Sequence, residues 1–357
     1  MVCLLSIWTA GCSNTSAPKA AEASTGTNEP IPAGSTQIRG AGATFPSLLY
    51  KRWFTVYHES HPDTYISYEA VGSGEGVRRF TGKNLAAEEQ IDFGASDAAL
   101  SDAQIAEVSN DVLMVPATAG CVVLAYNLPG FNGELRLSRK AYAGIFLGDI
   151  TSWDDPEIAR SNPGVKLPKL TVATVVRQDG SGTTFAFTRN LDAVNEKWRA
   201  QFGTATLVNW PGNAMRGKGN EGVAGLVEKS AGSVGYVGYE FAKRLGLPVA
   251  SLENRDGNYV RPSEQSCAKA LASAELPENL RVFIPDPAGA DSYPIVTFSW
   301  ILLRKSYANP QAAAVVRLIR WSLQDGQQYA PELGYVALPP EVAQKALRAL
   351  DKVGPGS

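Results

Sequence analysis

The sequence predicts an α/β fold. Apolar, β-branched runs of strand length alternate with segments of helical periodicity along the whole chain. In three places a strand runs into a Gly/Ser/Thr turn that opens a helix: Gly42 to Pro46, Gly72 to Gly76, and Asp179 to Thr184. The 357 residues, 44% hydrophobic and 19% charged, suffice for two domains with full cores.

Gln37 to Gly40 is a short strand. Leu49, Trp53 and Val56 then recur at helical spacing as far as Glu59, with Pro46 suited to a first turn. Thr64 to Val71 alternates as a strand, and a helix follows through Val77 and Phe80. Ile91 to Ala95 is a strand ending at Ser96-Asp97, and Ser101-Asp102-Ala103-Gln104 is a capping box. Cys121 to Tyr126 reads as a buried strand and Arg139 to Phe146 as a helix. The strand Leu170 to Val176 leads through Arg177 into one helix carrying Leu191, Val194 and Trp198 on one face. Gly222 to Glu228 is helical, Ser233 to Val237 and Pro294 to Leu303 are strands, and Ala312 to Leu323 and Pro340 to Val353 are amphipathic helices.

The net charge of −2 implies no basic face, so nucleic acid is not an expected partner. A small anion needs no global positive charge, because local dipoles can hold it. The four cysteines, Cys3, Cys12, Cys121 and Cys267, show no metal-ligand spacing. The two histidines, His58 and His61, share one helical stretch, which argues against histidine-based catalysis. No metal or cofactor is expected.

The N-terminus reads as an address. Val2 to Ala10 is apolar and too short to span a membrane, Gly11-Cys12 follows, and Ser13 to Thr36 is rich in Ser, Thr, Ala, Gly and Pro. This resembles a bacterial lipoprotein signal (residues 1–12) followed by a flexible tether (13–36). The resemblance implies export, lipidation at Cys12, and attachment to the membrane through that lipid alone.

The three turns carry the chemistry. A helix N-terminus offers unpaired N–H groups and a partial positive charge, and glycine lets backbone approach a ligand closely. Each turn is therefore a possible oxyanion cradle, although any one alone is an ordinary cap. Arg177, four residues before Ser181, can grip two oxygens, and Asp179 can orient its guanidinium. Asp97 would repel an anion unless that anion brings a proton to share. Phosphate near neutral pH carries one and sulfate does not. Gly212 to Lys218 has P-loop spacing, but Gly219 replaces the Ser or Thr that would hold magnesium. Two alternatives share the cradle: an anchored or secreted phosphatase, and a receptor for another tetrahedral oxyanion.

Ala41-Gly42-Ala43-Thr44-Phe45-Pro46, Asp92-Phe93-Gly94-Ala95-Ser96-Asp97 and Arg177-Gln178-Asp179-Gly180-Ser181-Gly182-Thr183 together resemble the PstS family of phosphate-binding proteins. Gly217-Lys218-Gly219-Asn220-Glu221-Gly222 and Gly235-Tyr236-Val237 do so as well, in family order. The resemblance implies a two-lobed periplasmic-binding-protein fold of type II kind, each lobe a mixed sheet flanked by helices. Its lobes would be 37–126 with 239–357, and 127–238. It implies phosphate in the cleft, bound by Thr44, Phe45 through its N–H, Ser73, Asp97, Arg177, Ser181, Gly182 and Thr183, with Asp179 and Ser96 in support. It further implies a monomeric, non-enzymatic receptor that serves an ABC permease with a cytoplasmic ATPase subunit. Cys121 stands where the family commonly has glycine, and a disulfide to Cys267 is compatible with export. Glu75 departs from the family's small residues after the binding serine, and helix geometry points it outward. Residues 82–90 read as a surface insertion.

Overall fold

The structure, a computed structural model, describes residues 22–24, 31–82, 84–108, 111–307 and 311–355. The signal and lipidation expectation at residues 1–12, Cys12 included, and most of the 13–36 stretch lie outside them.

Nine strands form one hydrogen-bonded run: β1 (Glu22–Ser24), β2 (Thr36–Gly42), β3 (Thr64–Ala70), β4 (Phe93–Ser96), β5 (Val112–Asn127), β6 (Ala173–Arg177), β7 (Met215–Gly217), β8 (Ser233–Gly238) and β9 (Val296–Arg304). Their spatial order is β1-β3-β2-β4-β9-β5-β8-β6-β7. β2 is parallel to β3 and β4, and β6 is parallel to β7 and β8. Antiparallel β9 and β5 stand between these two groups.

β5 joins the halves. Val112 to Cys121 lie opposite β9, and Val122 to Asn127 lie opposite β8. The change of partner falls between Cys121, opposite Val296, and Val122, opposite Gly238. The strand is longer than the expected Cys121 to Tyr126, because Pro116 and Gly120 disguise its first part. Pro116 is tolerated at a bulge: Thr118 faces Ser299 and Pro116 faces Trp300, leaving Ala117 unmatched.

Each half has its own aromatic core. Helix α1 (Ser47–Ser60) buries Leu49, Tyr50, Trp53, Phe54 and Tyr57, with Tyr50 edge-on to Tyr68 of β3 at 5.1 Å. In the other half Phe187 stacks on Tyr236 at 4.7 Å, and Trp198 meets Trp210 at 5.3 Å. The single helix expected to carry Leu191, Val194 and Trp198 is two helices, α3 (Gly182–Val194) and α4 (Glu196–Gln201). Asn195 separates them, because its side chain accepts from Trp198 N at 2.8 Å and caps the second. A small sheet pairs Ser251–Glu253 with Tyr259–Val260 and with Arg136–Leu137.

Cys121, at the point where β5 changes partner, is disulfide-bonded to Cys267 of helix α5 (Glu264–Ala272), with Cα atoms 5.7 Å apart. The bridge closes a loop with a sequence separation of 146 residues. Loops of that length gain strongly from cross-linking, and the loss of such a bridge costs roughly 2–5 kcal/mol. The reduced protein, or the Cys121→Ser/Cys267→Ser variant, is therefore expected to unfold at lower urea. An unchanged midpoint would remove this stabilising role.

Candidate functional site

The parallel strands of both halves end at the same place. β2, β3 and β4 deliver Gly42, Ala70 and Ser96 there, and β6, β7 and β8 deliver Arg177, Gly217 and Gly238. Clefts at the carboxyl ends of parallel strands are where α/β sheets gather ligands. Three of the helices that follow these strands begin at this cleft: α2 (Ser73–Thr81), α3, and α6 (Gly219–Lys229).

The two halves touch through these helix starts. Ser73 Oγ accepts from Gly182 N at 3.0 Å across the cleft and from Asp97 N at 3.3 Å. Gly74 N donates to Gly180 O at 2.9 Å. Thr44 Oγ1 accepts from Asn220 N at 3.1 Å and Asn220 Nδ2 at 2.9 Å, and the same Nδ2 donates to Thr183 Oγ1 at 3.1 Å. Gly182 is glycine for a steric reason: a Cβ there would lie 2.5 Å from Asp97 Cβ and 2.6 Å from Ser73 Oγ.

Arg177 is only 2% exposed. Its Nε donates to Asp179 Oδ1 at 2.9 Å and its Nη2 donates to Asp179 Oδ2. Asp179 Oδ1 also accepts from Gly219 N at 3.0 Å, so the carboxylate orients both the guanidinium and the start of α6. Tyr236 Oη accepts from Arg177 N at 3.1 Å and lies 2.8 Å from Thr184 Oγ1.

Asp97 is 1% exposed and accepts from Ser299 Oγ at 2.7 Å. Burial raises its pKa to about 7, against the opposing pull of Ser299, Arg177 and Thr183. Its proton is thus exchangeable near neutral pH, which an ordinary surface aspartate would not allow.

The structure gathers Thr44, Ser73, Asp97, Arg177, Asp179, Gly182 and Thr183 around one cleft. Other expected residues use their polar groups locally. Ser181 Oγ accepts from Thr184 N at 3.0 Å and caps α3. Ser96 Oγ donates to Ala98 O at 2.6 Å and closes its own turn. The ring of Phe45 is buried against Tyr335 at 5.6 Å, and its carbonyl accepts from Tyr335 Oη at 2.6 Å. Glu75 faces away from the cleft, held by Arg78 and Arg79 at 2.7–2.8 Å, and the hydrogen bonds from Arg78 lead in lowering its pKa to about 2.

Sequence reasoning missed Asn220 and Ser299. Asn220 opens a fourth strand–turn–helix unit, and the Gly217 to Gly222 run was its signal. Ser299 is the lone serine in the apolar strand VTFSWILLR, and it sits at the β5/β9 bulge.

Residues 22–325 match the PBP superfamily domain. The phosphate-binding protein PstS of Pasteurella multocida is 40% identical over 86% of this chain and 88% of its own length. PstS of Methanocaldococcus jannaschii is 35% identical over 88% and 86%. Among solved structures, a high-affinity periplasmic phosphate-binding protein, PfluDING, bound with phosphate, aligns with a TM-score of 0.72 and 22% identity, covering 87% of this chain and 92% of that one. The phosphate-binding protein of Stenotrophomonas maltophilia aligns with a TM-score of 0.68 and 20% identity, over 88% and 94%. These structures share the two-lobed α/β fold. With the superfamily domain spanning most of its length and relatives at 35–40% identity over most of both chains, the protein belongs to the PstS family of phosphate-binding proteins.

Proposed function

We propose that the chain binds inorganic phosphate in the cleft between its lobes, outside the cytoplasmic membrane, and delivers it to an ABC-type permease. It is a receptor and not an enzyme. One observation carries the reading most: a buried carboxyl, Asp97, stands among donors from both halves of the sheet. Such a group suits an anion that shares one proton with the site. Monohydrogen and dihydrogen phosphate each carry an O–H that donates to the Asp97 carboxylate. Sulfate has no proton to bring and meets ionised Asp97 lone pair to lone pair.

In this reading Thr44 and Ser73 give hydroxyls, and Phe45, Gly182 and Thr183 give backbone N–H groups at helix starts. Ser181 supports them by capping α3 with its hydroxyl, while its own N–H donates to Thr206 O at 2.8 Å. Arg177, steadied by Asp179, grips two oxygens. Ser96 supports Asp97 by shaping its turn. The ligand touches both lobes and so favours their closed arrangement. We assign 37–126 with most of 239–357 to one lobe and 127–238 to the other. The change of partner at Cys121/Val122 supports a crossing in that stretch. The pairing of Ser251 to Val260 with Arg136–Leu137 favours placing that segment with the second lobe. We further propose a monomer tethered by lipid at Cys12, on the strength of the Gly11-Cys12 signal and the polar stretch behind it.

Three outcomes test this. Arg177→Ala is expected to weaken phosphate binding in a calorimetric titration by roughly 10²-fold or more, since charge-assisted bonds to an anion are lost; near-normal affinity sinks the site assignment. Sites that require a ligand O–H reject analogues lacking it by roughly 10⁴-fold. Asp97→Asn should narrow the phosphate/sulfate difference, and in the parent protein sulfate should compete better below pH of about 7 than above it, because protonated Asp97 can then donate. A ratio indifferent to both pH and the substitution removes Asp97 as gatekeeper. Cys12→Ser should move the protein from the membrane fraction to the soluble exported fraction of a bacterial host; unchanged membrane association ends the lipid-anchor proposal.

A further inference from the structure

One buried acid beside the cleft has no part in holding the anion. Glu240 lies in the short helix α7 (Tyr239–Leu245), which follows β8 directly. It is 1% exposed, and neither Oε1 nor Oε2 makes a hydrogen bond. Its carboxyl lies directly against Gly238, where a Cβ would sit 2.0 Å from Oε1 and 2.8 Å from Oε2. Gly238 is itself a critical residue. It stands opposite Val122, where β5 changes partner, so both crossings of the chain meet there. Gly238 N donates to Asn220 Oδ1 at 2.9 Å, and Asn220 binds Thr44 and Thr183 on the two sides of the cleft. Glu240 is thus one residue and one side chain away from the cradle without touching it.

The surroundings favour the neutral acid. The titratable groups that face Glu240 are Asp97 from the turn after β4 and Tyr335 from the C-terminal segment, where Gly334 also covers its Cα. Neither supplies positive charge. Lys243, one turn along α7, sends its ammonium to Glu332 O at 2.9 Å instead. An ionised carboxylate here would be dry, unbonded and repelled by Asp97. Burial holds the proton well above the ordinary carboxyl range; the residue's own amide N–H pulls the other way, and Asp97 adds to the rise.

Building on the phosphate reading, we propose that Glu240 is a positioning residue that couples phosphate binding to proton uptake. Closing the lobes buries the carboxyl with its proton, and opening them at the Val122/Gly238 crossing lets water reach it and the proton leave. The sign follows from linkage. The closed state holds the proton more tightly than the open state, whose hydrated carboxyl keeps the ordinary glutamate value. The contribution to affinity is complete below that value. It is lost as pH rises toward the closed-state value, by at most about tenfold per pH unit for one proton.

Isothermal titration with inorganic phosphate, at about pH 6.5 in two buffers of different ionisation enthalpy, counts the protons taken up. The whole protein is compared with Glu240→Gln and Glu240→Ala; the first keeps the shape, and the second avoids a buried amide that needs partners. Protons belonging to phosphate and to Asp97 are common to all three and cancel in the difference. The parent is expected to take up about one proton more per phosphate than either variant, and its affinity to rise more steeply as pH falls. Equal proton counts overturn the inference while leaving the phosphate reading intact. Loss of phosphate binding in folded variants also counts against it, because a proton carrier outside the cradle leaves the cradle standing. No heat from phosphate in the parent sinks the phosphate reading itself, and this inference with it.

Discussion

A buried guanidinium cannot stand alone, and much of the cleft follows from satisfying Arg177. Its 2% exposure requires a partner at contact, which Asp179 supplies from two residues away. Asp179 must then sit inside the cleft, where its Oδ1 also takes Gly219 N and fixes the start of α6. Its Oδ2 fills the space beside Gly72, where a Cβ would lie 2.3 Å away. Gly72 has φ +99°, so the turn into α2 is open only to glycine on both counts. One ion pair thereby shapes three chain segments far apart in sequence. Those segments present Ser73, Gly182 and Asn220, which carry the contacts between the lobes.

The long strand β5 imposes the second constraint. Because it serves both halves of the sheet, the proposed motion of one lobe against the other would bend the chain near Cys121 and Val122, where the strand changes partner. The disulfide to Cys267 pins the strand on the β9 side of that point. The bulge that admits Pro116 lies beside Ser299, and local strand geometry there lets the Ser299 hydroxyl reach Asp97 from an apolar strand. Backbone irregularity is thus found where the sheet must present a polar group.

This division explains what was legible in the sequence. The strand–turn–helix units at Thr44, Ser73 and Arg177 announce themselves, because glycine and capping residues are local requirements with local signatures. The acid at Asp97 was legible as an oddity, since a carboxylate beside an anion cradle repels any anion that brings no proton. Ser299 and Glu240 were not legible, because strand register and tertiary packing bring them to the cleft. Asn220 lay in a recognised run but acquired its task only from Thr44, 176 positions away. Ser181 and Ser96 show the converse: their hydroxyls satisfy the nearest backbone group first, as short polar side chains at turns do. Asn195 broke a helix that periodicity alone would continue, for the same reason.

The charge balance of the cleft supports the proposal that selectivity rests on a proton. Arg177 is already matched by Asp179, so the pair adds little attraction at long range, and its guanidinium acts on an anion only at contact. The −2 charge of the chain adds none at long range. Attraction therefore comes at short range, from Arg177 and from hydroxyl and N–H groups at the helix starts, whose dipoles act over one turn. Such donors welcome any tetrahedral oxyanion alike. Discrimination therefore falls to a group that treats these anions differently, and in the proposed reading that group is Asp97, whose buried carboxyl, with its pKa raised to about 7, faces an anion proton that phosphate has and sulfate lacks. A second buried acid behind it, Glu240, ties the same currency to the movement of the lobes. With Glu75 turned outward onto Arg78 and Arg79, and Asp179 taken up by Arg177, Asp97 and Glu240 are the buried acids near the cleft that lack an ion-pair partner among the described residues.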